Sequence, residues 1–188
     1  MKLFKAVRGL YVSHIFGSLA AVLLLIPLWS VISGSALAYF LITAGVHICL
    51  IYSTSWRCGD RDGRKIPGFY PSYRFAGMVA GWGLVIPVLL LALRFVFPNL
   101  WMTDVPIMNG GLAFLSTDIY FQGTTDLMYK LWYFPYLIFM GNGSFFRYLI
   151  PILIQTLTVF LGYYVGTKRI RVLDHVMQKM IYQEKKEN

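Results

Sequence analysis

Two long stretches without a single Asp, Glu, Lys or Arg flank one short, densely charged segment. Residues 9–56 and 75–93 carry no charged side chain, whereas residues 57–74 between them carry seven charged side chains in eighteen positions. Hydrocarbon excludes ionised side chains, and about 20 apolar residues in a helix span its thickness of about 30 Å. The alternation therefore predicts membrane-spanning helices joined by a charged connection outside the hydrocarbon.

Four spans are predicted, in an all-α membrane protein. They cover residues 9–33, 34–56, 75–97 and 148–167. Their apolar runs are continuous and not alternating, which favours helices over a β-barrel. Only 13% of the residues are charged, so we expect residues 1–167 to form one transmembrane domain without a separate soluble domain. The N-terminal span is predicted to be retained, because no clean cleavage site follows it.

The basic residues predict the orientation of these spans. With the N-terminus in the cytoplasm, four spans return the C-terminus to the same side. Of the 17 Lys and Arg residues, 14 then lie in the N-terminal segment, in residues 57–74 and in the C-terminal tail. An excess of Lys and Arg in cytoplasmic segments sets orientation. The sequence therefore predicts a multi-pass plasma-membrane protein with both termini in the cytoplasm, and its charge of +9 indicates contact with anionic lipids, not nucleic acid.

Two segments outside the predicted spans have distinctive compositions. Residues 98–147, on the predicted outer side, are rich in aromatic residues, and the apolar part 127–140 is too short for a span. Such a length is typical of an interfacial or re-entrant piece. The favoured interpretation is a cap lying on the outer leaflet, and the alternatives are a lid over a cavity between the helices or a docking surface for a partner. Residues 168–188 form a basic cytoplasmic tail whose Leu173, Val176 and Met180 share one face of a predicted amphipathic helix. That face can contact either the membrane surface or another protein.

Polar residues near or within the spans are the candidates for a ligand site or cavity: Arg94, Asp118, Asp126, Gln155 and His47. Arg94 can extend to the membrane surface, and the carboxylates can pair with Arg94, Lys130 or Arg147 or receive a cationic ligand. Gln155 more often bonds a neighbouring helix than lines a path. For His14 and His47, neutral hydrogen-bonded side chains are favoured over haem ligation.

Glycine pairs at four-residue spacing are the candidates for close helix packing: Gly77 and Gly81, and Gly162 and Gly166. They can join the third and fourth spans, or either span to another chain. Asp60 and Asp62 lie among arginines, so local ion pairs are predicted in preference to a metal site. No catalytic residues, metal or cofactor are predicted.

The sequence Trp56-Arg-Cys-Gly59-Asp-Arg61-Asp62 resembles the W-x-x-G-x-R-D loop of uncharacterised small four-helix membrane proteins of Gram-positive bacteria. The resemblance covers the end of the second span and the loop. It implies a similar four-helix layout and no activity, cofactor or ligand. This chain has Gly63 where that loop carries a polar residue.

Three functions follow as hypotheses. The first is a non-enzymatic membrane subunit that assembles with itself or within a larger membrane complex. The second is a small transporter, channel or substrate-binding membrane component with a cavity among its helices and a small-molecule ligand. The third is a membrane enzyme that acts on lipid headgroups through Asp60 or Asp62.

Overall fold

The computed structural model describes residues 2–32, 36–64, 71–96, 105–106, 120–121, 123–140 and 145–168. These residues are mainly helical. The helices are α1 Lys2–Ile32, α2 Ala36–Gly63, α3 Tyr73–Gly83, α4 Val85–Val96, α5 Gly123–Trp132, α6 Leu137–Met140 and α7 Phe145–Thr167, with a 3₁₀ turn Phe134–Tyr136 between α5 and α6. Two short strands, β1 Val105–Pro106 and β2 Tyr120–Phe121, pair antiparallel. The predicted site residues Asp118, Leu173, Val176 and Met180 lie outside the described residues.

Within the described residues, two helices are long and apolar enough to cross a membrane. They are residues Lys2–Leu24 of α1 and the whole of α7. The pair α3 and α4 counts as a third if it forms one span, although its two helices are bent by 41°. Helices of membrane-spanning length and composition are therefore confirmed, and their number is two or three by this measure.

A proline explains where the predicted third span is broken. Pro87 has no N–H, so it cannot bond the carbonyl of Gly83 four residues earlier. The side-chain amide of Gln155 in α7 donates to that carbonyl instead, with an N···O distance of 3.4 Å. Leu84 lies between the two helices and donates to the Ala80 and Gly81 carbonyls. The bend therefore has a local cause and a partner from another helix.

The second helix is longer than predicted. The sequence placed its end at Trp56, but α2 continues to Gly63 and includes the charged residues Asp60 and Asp62. Charge marks the end of the apolar run, not the end of the helix, because helical hydrogen bonding continues beyond hydrocarbon. The loop predicted over residues 57–74 is therefore shorter than expected.

Glycines allow α2 and α7 to approach closely. A Cβ atom on Gly162 would lie 2.8 Å from the Tyr52 carbonyl oxygen, and one on Gly166 would overlap the Trp56 carbonyl oxygen. Gly59 and Gly63 of α2 face the α7 backbone in the same way. The predicted partner of Gly162 and Gly166 was the third span or another chain, and the structure corrects it to α2.

The other glycine pair makes less contact. A Cβ on Gly77 of α3 would lie 3.8 Å from the Phe160 ring of α7, and one on Gly81 would meet nothing within 4 Å. The pair therefore contributes one contact between α3 and α7, and Gly81 remains on the surface of the described structure.

The segment from α5 to α6 lies in the core. Tyr129, Tyr133, Tyr136, Leu137 and Met140 are at most 3% exposed. They pack with residues of α2, α4 and α7 in one hydrophobic cluster. The favoured interpretation of this segment as a surface cap did not predict that these side chains are buried among the other helices.

Candidate functional site

A buried group of charges joins α4, α5 and α7. Asp126 and Lys130 are four residues apart on α5 and therefore share a face, with 2.8 Å between Lys130 Nζ and Asp126 Oδ2. The other carboxylate oxygen accepts from Arg94 Nε at 2.5 Å and from the Tyr148 hydroxyl at 2.8 Å. We call Arg94, Asp126, Lys130 and Tyr148 the ion cluster.

The ion cluster is almost fully withdrawn from solvent. Arg94 is 7% exposed, Lys130 1% and Asp126 0%. Buried ions lose hydration worth several kcal/mol each, and this loss is offset only by good geometry and several hydrogen bonds. The Arg94 guanidinium also lies 4.1 Å from the centre of the Tyr148 ring, in cation–π geometry. The predicted extension of Arg94 to the surface is wrong, whereas its predicted pairing with Asp126 is confirmed.

A second group of polar side chains lies where α1 and α2 meet the end of α5. Gly17 makes room for it, since a Cβ there would lie 2.5 Å from His47 Cδ2. His47 Nδ1 is 3.0 Å from the Tyr136 hydroxyl, and His47 Nε2 is 3.0 Å from His14 Nδ1. His14 Nε2 is 2.9 Å from the Trp132 carbonyl oxygen. We call His14, His47 and Tyr136 the histidine cluster.

The direction of each hydrogen bond in the histidine cluster follows from the carbonyl at its end. A carbonyl only accepts, so His14 Nε2 must carry a hydrogen and donate to Trp132. In a neutral His14, Nδ1 then accepts from His47 Nε2, and His47 Nδ1 accepts from the Tyr136 hydroxyl. Every nitrogen in the pair has a partner in this arrangement, which agrees with the predicted neutral, hydrogen-bonded histidines.

The geometry of the pair disfavours charging both rings and does not form a haem site. The ring centres are 4.6 Å apart, so two positive charges would repel by about 4 kcal/mol at an effective dielectric constant of about 20. The facing nitrogens bond each other and leave no gap for a metal between opposed rings. Among the described residues, no group of three or more His, Cys, Asp or Glu side chains is placed to hold a metal ion.

Tyrosines and a glutamine connect the two clusters. The Tyr133 hydroxyl donates to Gln155 Oε1 at 2.6 Å, and its ring meets the edge of His14 at 5.1 Å between centres. The Tyr129 hydroxyl donates to the Tyr148 carbonyl at 2.5 Å, and its ring lies 5.3 Å from that of Tyr133. The predicted hydrogen bonding of Gln155 between helices is therefore confirmed, and α5 carries a continuous polar and aromatic strip through the core.

An open cleft of about 500 Å³ lies next to these clusters, between α1, α4 and α5. Its lining is nearly all apolar where it is accessible: Ile15, Leu19, Val22, Ile86, Leu90, Met128 and Leu131, together with His14, Ser18 and Trp132. The neighbouring surface is apolar too, since Ile15 and Met128 are about half exposed. The volume lies within the usual range for a small-molecule site, about 300–1,000 Å³.

Trp132 lines the cleft and contacts His14 of the histidine cluster. Its ring stacks on His14, with 4.6 Å between centres and an interplanar angle of 25°. Its carbonyl accepts from His14 Nε2 and from the Ser18 hydroxyl, the latter at 2.6 Å. Its indole Nε1 is buried and finds no acceptor within the described part of the chain. A buried donor without a partner is uncommon and calls for an explanation.

The structure brings together four of the five predicted ligand or cavity residues. Arg94 and Asp126 belong to the ion cluster, His47 to the histidine cluster, and Gln155 lies between them. Sequence analysis assigned no role to Tyr133, Tyr136, Tyr148 or Trp132. The spacing of Asp126 and Lys130, one turn apart in an apolar and aromatic stretch, was the available signal for a buried ion pair.

At the other end of α2, Asp60 and Asp62 form the local ion pairs that the sequence predicted. Asp60 pairs with Arg64 at 2.7 Å, and Asp62 pairs with Arg61 at 3.1 Å. The Tyr163 hydroxyl of α7 also donates to Asp62, at 3.1 Å. Asp62 therefore joins the end of α2 to α7, and the hypothesis of an enzyme that acts on lipid headgroups gains no support from these ion pairs.

Comparison of the chain with known protein families, curated proteins and solved structures finds no match. The resemblance of residues 56–62 to the loop of small four-helix membrane proteins therefore stays a prediction.

Proposed function

We propose that this protein is a membrane-embedded binding component that takes the apolar chain of an amphipathic small molecule into the cleft between α1, α4 and α5. The observation that carries the proposal is the cleft itself: about 500 Å³ of open, apolar space whose lining includes His14 of the buried histidine cluster. This is the binding-component form of the second hypothesis from the sequence. A transporter would use the same site.

The buried polar clusters support a functional role. Ionisable side chains within a membrane domain are costly and mark ligand or ion sites more often than they stabilise a fold. The inserted segment from α5 to α6 carries Asp126, Lys130, Trp132 and Tyr136, so it contributes to both clusters and to the cleft wall. A segment that forms part of the cleft wall and of both clusters is suited to transmit ligand binding in the cleft to the clusters.

The proposal includes the full topology predicted from the sequence: four spans with both termini in the cytoplasm. The 28 residues of α2 make it about 42 Å long at about 1.5 Å per residue, enough to cross hydrocarbon. Ser18 lies ten residues beyond Arg8 on α1, which is about 15 Å further along the helix. Because Ser18 bonds the Trp132 carbonyl, the inserted segment would reach about the middle of the bilayer from the outer side.

The topology is testable with a single introduced cysteine. Lys168→Cys, in a Cys49→Ala and Cys58→Ala background, places a thiol at an exposed position just after α7. An impermeant maleimide should label it in inside-out vesicles and not in intact cells. Labelling from the outside of intact cells would reverse the proposed orientation.

Binding in the cleft is testable by photolabelling. A diazirine-bearing C16 methyl ester in nanodiscs should label cleft residues such as Leu19, Leu90 and Met128, and excess unlabelled ester should remove this labelling. Leu157 and Leu161 of α7 lie outside the cleft and are about 60% exposed, so they report ordinary lipid contact. Equal, non-competed labelling of both sets would contradict a specific site.

The cleft can also be filled by substitution. Leu90→Trp adds a large side chain to the cleft wall, whereas Leu157→Trp adds the same side chain on the exposed face of α7. The labelling that excess unlabelled ester removes should be lost in Leu90→Trp and kept in Leu157→Trp. Loss in both variants, or in neither, would argue against the cleft as the binding site.

A second candidate function is the membrane subunit of the first hypothesis. One observation favours it: Gly81 has open space around it, beside the exposed apolar side chains of Met78, Trp82 and Val85. Such a face permits close approach of a helix from another chain. The mass of the purified protein in mild detergent tests it, since a strict monomer that retains no partner from native membranes would contradict it.

A further inference from the structure

We propose that the molecule bound in the cleft carries a neutral hydrogen-bond acceptor, an ester or ketone carbonyl, at the head of its apolar chain, and that Trp132 Nε1 donates to this acceptor. This inference rests on the proposed function, since it requires that the cleft is a binding site. It adds the chemical class of the ligand and the group that recognises it.

The unsatisfied donor is the first argument. Trp132 Nε1 is buried, and no acceptor bonds it in the part of the chain that the structure describes. One face of the indole stacks on His14, and the ring also borders the cleft. Because Trp132 lines the cleft, a molecule bound there can supply the missing acceptor once the side chain turns Nε1 toward it. Binding then removes a cost that the unliganded protein carries.

The surroundings of Trp132 exclude an ionised head group. None of the described residues that line the cleft is Lys, Arg, Asp or Glu. A carboxylate would lose its hydration without a cation beside it, and it would lie near the C-terminal end of α5, where the helix dipole is negative. The His14 N–H and the Ser18 hydroxyl are already donated to the Trp132 carbonyl. That carbonyl, with two donors bound, is also a poor site for a cationic head.

The rest of the cleft fits the apolar chain of the ligand. Apart from His14, Ser18 and Trp132, the described lining residues are aliphatic side chains and Met128. On α1 they run from Ile15 to Val22 along one face of the helix. An extended hydrocarbon or isoprenoid chain can lie in this groove, and a purely hydrocarbon molecule would leave the indole donor without its bond. The carbonyl head at one end is therefore what distinguishes the ligand from bulk lipid tails.

The test compares head groups on one chain. Hexadecane, methyl palmitate and palmitate compete with the C16 diazirine ester for labelling of Leu19 and Met128 in nanodiscs at neutral pH. Methyl palmitate should compete at about tenfold lower concentration than hexadecane, the ratio expected for one hydrogen bond to a buried donor. Palmitate should compete less well than the ester, because its carboxylate must be desolvated.

The matched variants are Trp132→Phe and Trp82→Phe. The first removes the indole N–H and keeps an aromatic ring next to His14, so methyl palmitate and hexadecane should become equal competitors. The second removes an indole from an exposed position on α3, and the preference should persist. Equal competition by ester and alkane in the unmodified protein overturns the inference, whether or not Trp132→Phe folds. An undiminished preference in a folded Trp132→Phe protein overturns it as well.

The outcomes separate this inference from the proposed function. Competed labelling without head-group preference leaves the cleft as a binding site and refutes only the carbonyl recognition. Labelling that no competitor removes refutes both.

Discussion

Asp126→Asn is the substitution that most directly tests the buried ion cluster. The change keeps the shape of the side chain and removes the charge that Arg94 and Lys130 share. Two charge-assisted hydrogen bonds are weakened, each worth about 1.5–3 kcal/mol, and both cations stay at most 7% exposed. Breaking a buried ion pair by removing one partner typically costs about 3–5 kcal/mol. We expect a loss of this size in the free energy of unfolding.

Asp60→Asn is a matched control. Asp60 pairs with Arg64 at the same four-residue spacing and nearly the same distance, 2.7 Å against 2.8 Å for Asp126 and Lys130. The Arg64 side chain is 52% exposed, however, whereas that of Lys130 is 1% exposed. Arg64 can turn to water when its partner is neutralised, so we expect a cost of about 1 kcal/mol or less.

The assay is SDS titration of the purified protein in mixed micelles, with unfolding followed by tryptophan fluorescence and circular dichroism. Adding Lys130→Met to Asp126→Asn removes one of the two buried cations and should recover part of the loss. The reasoning is refuted if Asp126→Asn costs no more than Asp60→Asn, or if Lys130→Met makes the neutralised protein less stable still.

Three further predictions follow from the packing and chemistry of particular residues. Gly166→Ala should destabilise the fold in the same SDS titration, because the added methyl group would overlap the Trp56 carbonyl, whereas Gly81→Ala should be neutral or stabilising because that position is open. His47→Leu removes the hydrogen-bond partners of the Tyr136 hydroxyl and of His14 Nδ1. Each buried polar group left unsatisfied costs about 1–3 kcal/mol, so the free energy of unfolding should fall by about 2–6 kcal/mol. A loss below about 1 kcal/mol would contradict the hydrogen bonds assigned to the histidine cluster. Burial raises the pKa of the Cys58 thiol, and Arg61 opposes this shift whereas Asp62 adds to it. Iodoacetamide at pH 8 should therefore modify Cys58 more slowly than it modifies the cysteine of Lys168→Cys, at an exposed position. The rate at Cys58 should still rise above pH 9, because its thiolate forms there.

Several features were predictable because they depend on local composition. Charge-free runs predicted helices of membrane-spanning length, and α1 and α7 confirm that class. The ion pairs of Asp60 and Asp62 were also predictable, since Arg61 and Arg64 are close to them in sequence.

Other features were not predictable, because aromatic-rich sequence is compatible with two environments. Tyrosine and tryptophan suit the headgroup level and also suit a core that supplies partners for their polar atoms. The hydroxyls of Tyr133, Tyr136 and Tyr148 find those partners on α7, α2 and α5, far away in sequence. Without knowledge of these partners, residues 127–140 were assigned to the surface.

The sequence by itself determined that the chain contains helices apolar enough to cross a membrane and that Asp60 and Asp62 form local ion pairs, because each depends on residues close together in the chain. Only the tertiary structure decided that α2 is the partner of the Gly162 and Gly166 face, that α5 and α6 enter the core, and that His14 meets His47 beside an apolar cleft. The physical reason is that the cost of burying a polar or charged side chain depends on which distant groups complete its hydrogen bonds, and local sequence carries no record of those groups.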